Sequence, residues 1–180
     1  MSKWKMVKLG DVCNNNIQTI SSNDDYQIDY IDISSVDNQT KKIVSYNTFT
    51  FKEAPSRARQ ILQENDILVS TVRPNLNAVA INSLKSENIV VGSTGYCVLR
   101  CNDKIERDYL FYFCQSETFI LALVKKAKGA SYPAVSNSDV KSCLIPLPPL
   151  DEQKRIADVL DKASELIKKR KEQIRLMDVL

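Results

Sequence analysis

This sequence predicts a mixed α/β (α+β) domain followed by one long C-terminal α-helix suited to coiled-coil pairing. Three observations carry that expectation. Runs rich in β-branched and aromatic residues, separated by polar loops, fill most of residues 1–145. Pro146, Pro148 and Pro149 then interrupt the chain over 146–150. From Asp151 to Leu180 neither glycine nor proline breaks a charged run with a regular apolar seam.

Taken in order, Trp4–Leu9 alternates Trp4, Met6 and Leu9 with Lys3, Lys5 and Lys8, as an edge strand would. Tyr26–Ile33 carries Tyr26, Ile28 and Tyr30 in phase and Ile31 and Ile33 out of phase, which suggests a strand with a slip or bulge. Ile43–Phe51, Asp66–Val72, Ala78–Ile81 and Ile89–Leu99 are further strand candidates. Asn14–Asn16, Ser21–Asp25 and Asp37–Thr40 separate them as loops. Over Asp108–Lys128 the period changes to that of a helix: Tyr109, Phe113, Ile120 and Val124 share a face, with Leu110, Tyr112 and Leu121 beside them. Lys125, Lys126 and Lys128 suit the negative end of that helix dipole, and Gly129 is expected to end it.

The prolines fix φ and remove donors, so 146–150 favours extended backbone and cannot extend a helix backwards. Asp151 stands at an N-cap position and Glu152 in the first turn. The following run would be roughly 45 Å long if helical throughout. Ile156, Leu160, Ala163, Ile167, Arg170, Ile174 and Met177 recur at alternating steps of four and three, with Arg170 the polar exception. That is a 3.5-residue period, the pattern of helices that pair. Val159, Leu166 and Leu180 flank the seam, while Asp151–Arg155, Asp158–Lys162 and Glu165–Lys169 form acid-first pairs on the exposed side. Such a helix needs cover, either from its own domain or from a second helix.

Composition bounds the chemistry. One hundred and eighty residues, 43% apolar, suffice for one cored domain plus an extension. A net charge of +3 is far below that of an indiscriminate polyanion binder, so any nucleic-acid contact must come from local clustering. Cys13, Cys97, Cys101, Cys114 and Cys143 include no C-x-x-C pair and read as core filler in a reducing cytoplasm. No signal-peptide pattern opens the sequence and no apolar run approaches membrane-spanning length, so no membrane partner is expected. Histidine is absent, which removes Ser-His-Asp and Cys-His pairs and ordinary His-bearing zinc sites. None of the four glycines belongs to a phosphate-cradling G-x-x-x-x-G-K-[ST] or G-x-G-x-x-G motif. Methyltransferase and nuclease signatures are missing too, and Asp24, Asp25 and Asp37 read as loop residues. Catalysis by this chain alone is not expected.

Three polar segments have the chemistry to touch DNA. Ala54–Gln60 presents Arg57 and Arg59, two apart, so that on extended backbone both forks would face phosphate or guanine together. Ser70–Asn77 carries Arg73, Asn75 and Asn77; arginine suits guanine and asparagine suits adenine. The third combines Gly92–Tyr96, with Ser93, Thr94 and Tyr96, and Lys125–Tyr132, with Lys125, Lys126, Lys128, Ser131 and Tyr132. There, small residues would let backbone approach phosphate and lysines would displace counterions. Each also has an ordinary reading: solvated loop charges, an Arg73–carboxylate pair, asparagines building a turn, lysines at a helix end.

The segment from Ile145 to Arg155, IPLPPLDEQKR, together with LIKKRKEQI at Leu166–Ile174, closely resembles the helical region after each target-recognition domain in specificity subunits of type I restriction–modification systems. WKMVKLGDVC from Trp4 resembles the usual opening of such a domain, and Pro55–Ala80 and Ser93–Arg100 are similar to its internal blocks. The resemblance implies a non-catalytic subunit whose α/β target-recognition domain, residues 1–145, reads part of a split target in double-stranded DNA. It implies helices that form a spacer and dock methyltransferase subunits, which restriction subunits then join. S-adenosylmethionine, ATP and Mg²⁺ would belong to those partners. Family members usually carry two recognition domains and two helical regions, whereas this sequence has one of each. A half-length form pairing with a second copy through Ile156 to Met177 is therefore expected, in a homodimer that favours an inverted, interrupted target. The alternatives are a coiled-coil interaction protein without a DNA role and an inactive remnant.

Overall fold

Two four-stranded sheets build the domain in the computed structural model, which describes residues 4–21 and 26–177. The first sheet runs Asn47–Thr50, Gln27–Ile31, Ile89–Ser93, Ala58–Ile61; the second runs Cys13–Asn14, Tyr96–Cys101, Ile67–Ser70, Val79–Ile81. Pairing is antiparallel except between Ile89–Gly92 and Ile28–Ile31, which run parallel. The apolar run Ile89–Leu99 is thus two strands, and at Thr94 and Gly95 the chain passes from one sheet to the other. A side chain at Gly95 would press on the end of the Ile33 side chain, which would have to shift to admit it.

The second sheet is covered on both faces. One face, with Ile67, Val69, Val79, Cys97 and Leu99, packs on Leu110, Cys114, Phe119 and Leu123 of the helices. The other, with Leu68, Ala80, Tyr96 and Val98, packs on Ile31, Val36 and Leu62. Double coverage explains why Ile67–Ser70 is buried at every position and shows no alternation. The expected slip in Tyr26–Ile33 is not a bulge. The strand ends at Ile31, and Ile33–Ser35 turns as a 3₁₀ segment held by reciprocal Asp32 and Ser35 capping bonds.

The expected helix over Asp108–Lys128 is two helices, Arg107–Gln115 and Glu117–Val124. Ser116 divides them because its extended backbone lets its hydroxyl accept from Phe119 N, capping the second helix. That helix stops at Val124, so Gly129 lies beyond its end, in a turn closed by reciprocal Lys128–Ala134 backbone bonds. A short helix, Asn137–Lys141, was not apparent from periodicity; a Ser136–Asp139 capping box starts it.

Among the described residues Lys5–Lys8 pairs only with Leu144–Leu147, so the edge-strand expectation holds and the first proline sits within a strand, Pro146 opposite Met6. The long helix, Leu150–Met177, starts one residue before the expected cap, leaving Asp151 in its first turn. Gln153 and Ala157 at its root are buried and Ile156 packs against the main core. Everything from Asp158 to Met177 is exposed, including the remaining seam positions Leu160, Ala163, Ile167, Arg170, Ile174 and Met177. Asp24, Asp25 and Leu180 lie outside the described residues. Among the described residues, no helix is long and apolar enough to cross a membrane.

Candidate nucleic-acid interface

The corner between the sheets is where the polar loops converge. Thr94 N donates to Arg57 O at 2.9 Å, tying the Ala54–Gln60 segment to the turn. On the other side Thr71 donates twice to Gly95 O, from its amide and its hydroxyl, each at 2.9 Å. Val135 N donates to Thr71 O at 2.9 Å and Arg73 N to Pro133 O at 2.7 Å, which brings in the segment after Gly129. Segments far apart in sequence thus form one continuous rim carrying Arg57, Thr94, Arg73, Asn75, Ser131 and Tyr132, all exposed.

Arg73 is the most constrained cation on the rim. Its backbone is left-handed (φ 49°), as is that of Asn77 (φ 47°), so the intervening Pro74–Leu76 turn is held between two conformations unusual for side-chain-bearing residues. Its guanidinium lies 4.6 Å from the centroid of the Tyr132 ring, a cation–π distance. Among the described residues, neither Arg57, Arg59 nor Arg73 forms an ion pair with a carboxylate. The domain's buried ion pair is instead Arg100 with Asp66, bonded through two nitrogens at 2.8 Å each.

Several expected contact residues are placed otherwise. Ser93 and Tyr96 are fully buried, and the Tyr96 hydroxyl donates to Asp32 O at 2.6 Å. Burial is what raises that phenol above its ordinary pKa. Asn77 is buried as well, donating weakly to Cys114 O at 3.4 Å while its main-chain carbonyl accepts from Lys41 Nζ at 2.6 Å. These three side chains shape the corner from behind and cannot meet a base edge. Lys126 is turned toward the short helix, donating to Ser142 Oγ at 2.6 Å and Asp139 O at 3.2 Å. Lys125 and Lys128 remain exposed. Arg57 and Arg59 are not an equivalent pair. Arg57 precedes the strand Ala58–Ile61 and is exposed, whereas Arg59 lies over Phe51 at 5.4 Å and donates to Ala58 O at 2.8 Å.

Two residues that sequence reasoning passed over hold the corner together. Gln60, buried, donates from one amide nitrogen to Ser93 O at 2.7 Å and to Tyr96 O at 2.9 Å. Thr71 makes the two hydrogen bonds to Gly95 O described above. Both residues lie inside the polar segments singled out from sequence, but nothing local distinguishes a buried glutamine from a solvated one.

A loop-built rim bearing Arg57 and Arg73 thus sits on a domain that continues into a long helix with an exposed apolar seam. The model of the type I restriction modification DNA specificity domain (Methylase_S) matches residues 1–176, and the chain belongs to that family. It is 24% identical over 93% of its length to the type I restriction enzyme HindI specificity subunit of Haemophilus influenzae, covering 36% of that protein. With the MjaVIII specificity subunit of Methanocaldococcus jannaschii it shares 32% identity over 63% of its length and 28% of that protein. The HsdS subunit from Thermoanaerobacter tengcongensis superimposes with a TM-score of 0.82 at 36% identity, over 92% of this chain and 43% of that one. The S subunit from M. genitalium, at 16% identity and a TM-score of 0.57, over 93% of this chain and 40% of that one, shares the fold. The chain therefore spans roughly a third of the length of these curated relatives and less than half of the solved chains.

Proposed function

We propose that this chain is a non-catalytic, sequence-specific DNA-binding component of a type I restriction–modification complex, reading one half of a bipartite target. The observation that carries this reading is the convergence of Arg57, Arg73 and Asn75 on one exposed rim backed by a buried hydrogen-bonded corner, with no carboxylate partner for either arginine among the described residues. A guanidinium fork reads guanine and a side-chain amide reads adenine in the major groove. Exposed Lys125 and Lys128 flank the rim and anchor phosphates.

The distal helix supplies the second part of the role. Ile167, Ile174 and Met177 leave a seam uncovered by the chain's own domain, and that seam pairs with the equivalent helix of a second copy. A two-fold pair would set two rims at a fixed separation on the duplex and offer a platform for the methyltransferase subunit, which the restriction subunit joins. S-adenosylmethionine, ATP and Mg²⁺ act in those partners.

The test is to purify the chain with the methyltransferase subunit of its host and map methylated sites across the host genome. A split motif with mirror-related arms supports reading by two copies, and unequal arms assign the second half to a different domain. Loss of methylation pattern in the absence of this chain is expected; an unchanged pattern would refute the reading.

A further inference from the structure

A helix that spaces two recognition domains is useful only if it leaves each domain at one angle. In this chain the joint centres on one buried side chain, Gln153. Gln153 has no exposed surface, and its amide is almost fully used. Oε1 accepts from Glu106 N at 2.8 Å, while Nε2 donates to Lys104 O at 3.1 Å and to Pro148 O at 2.9 Å. The amide therefore ties the helix root both to the loop that starts the helix Arg107–Gln115 and to the proline segment before the long helix.

The same helix supplies two further ties. The Tyr109 hydroxyl donates to Pro146 O at 2.8 Å. The Tyr112 hydroxyl donates to Asp161 Oδ1 at 2.5 Å and lies 3.4 Å from Ser164 Oγ. Ala157, one turn beyond Gln153 on the long helix, is also buried, at 3% exposed. An apolar side chain in place of Gln153 would fill the volume, yet apolar contact tolerates sliding and rotation. Three directional bonds in a dry site do not, because leaving any of these groups unpaired is costly.

We infer that Gln153, with Tyr112 as a second latch, is a positioning joint that fixes the exit angle of the long helix and thereby the accepted spacing between half-sites. This rests on the proposed role in reading split DNA targets. From Gln153 to Met177 the helix extends about 36 Å at 1.5 Å per residue. A tilt of ~10° at the root moves the far end by about 6 Å, close to two base-pair steps on DNA whose turn of ~10 base pairs rises ~34 Å. Small looseness at the joint becomes a whole-base-pair error at the other end.

The experiment uses the chain in complex with its methyltransferase subunit and duplexes carrying the genomic target with its spacer lengthened or shortened by one or two base pairs. Wild type transfers methyl groups to one spacing. Gln153→Met, which keeps volume and removes all three bonds, should reduce the preference for native over altered spacing by about tenfold while the rate at native spacing stays within a few-fold. Tyr112→Phe should shift it in the same direction by less. Unchanged spacing preference in both variants overturns the inference, and if Gln153→Met fails to fold, Tyr112→Phe decides alone. If wild type modifies no split target, the functional reading fails instead. The joint is then read by small-angle scattering of the chain itself, where a profile identical for wild type and Tyr112→Phe overturns it and a broader one upholds it.

Discussion

Replacing Ile167 by Asp tests the open seam most directly. Ile167 leaves 57% of its surface exposed and Ile174, one heptad on, 46%. For an isoleucine, 57% exposure is roughly 100 Å² of largely apolar area, worth about 2.5 kcal/mol if fully covered at ~25 cal/mol per Å². In a two-fold pair the loss counts once per copy, about 5 kcal/mol, before the cost of burying an unpaired carboxylate is added. Area overstates association energy, so about half that value is a safer floor, and it corresponds to a dissociation constant raised by roughly a hundredfold. The assay is sedimentation equilibrium across a concentration series. Lys169→Asp, on the polar side of the same helix stretch, is the control and should leave the association constant within a few-fold. The domain itself should keep its melting temperature in both variants, because among the described residues none beyond Ile156 and Ala157 joins its core. An Ile167→Asp chain that self-associates as tightly as wild type would falsify the proposed pairing surface.

At the rim, Tyr132→Ala should relax sequence preference at the position read by Arg73, with Tyr132→Phe retaining it, since the ring face and not the hydroxyl holds the guanidinium; selection of bound sequences from a random duplex pool measures this. Lys126→Ala should leave DNA affinity and its salt dependence unchanged, whereas Lys128→Ala should flatten the log–log salt slope by about 0.9, as loss of one phosphate contact does. Stability should fall in acid through Asp29. Burial acts to raise its pKa, but hydrogen bonds from Ser86, Thr48 and Asn88 outweigh it and hold the folded value below the ordinary one. The unfolded chain therefore binds the proton more readily, and the contribution is present above the ordinary carboxylate pKa and lost as pH falls through the folded value. Asp29→Asn should flatten that acid limb in a pH series of denaturant melts. Burial pushes the thiols of Cys13 and Cys97 up to about 12 and that of Cys101 to about 11, so a disulfide-exchange reagent at pH 8 should react slowly with the native chain and promptly with all five cysteines once it unfolds.

Features set by neighbours in sequence were legible. The long helix, its 3.5-residue seam and its start after the prolines follow from local period and backbone chemistry, and they agree with the structure to within one residue at Leu150. The division at Ser116 was legible in principle, because a serine followed by glutamate in a helical run is a cap signal, but the apolar period over Asp108–Lys128 concealed it. Strands of two residues such as Cys13–Asn14 left no pattern to find. The chosen polar segments did converge, yet within them Ser93, Tyr96 and Asn77 turned inward and Lys126 sideways.

By itself, then, the order of residues determined the family, the mixed sheet-and-helix domain, the 3.5-residue apolar period of the last helix and the polar segments that converge at the corner between the sheets. These are consequences of spacing and short-range sterics. Tertiary structure alone decided which member of each polar segment meets solvent, because that depends on partners 13 to 64 residues away, as with Lys126 on Asp139 and Tyr96 on Asp32. It also decided that the helix is anchored at its root by Gln153 and latched once more by Tyr112 on Asp161, since a glutamine amide is solvated or buried according to carbonyls 49 residues distant, such as that of Lys104.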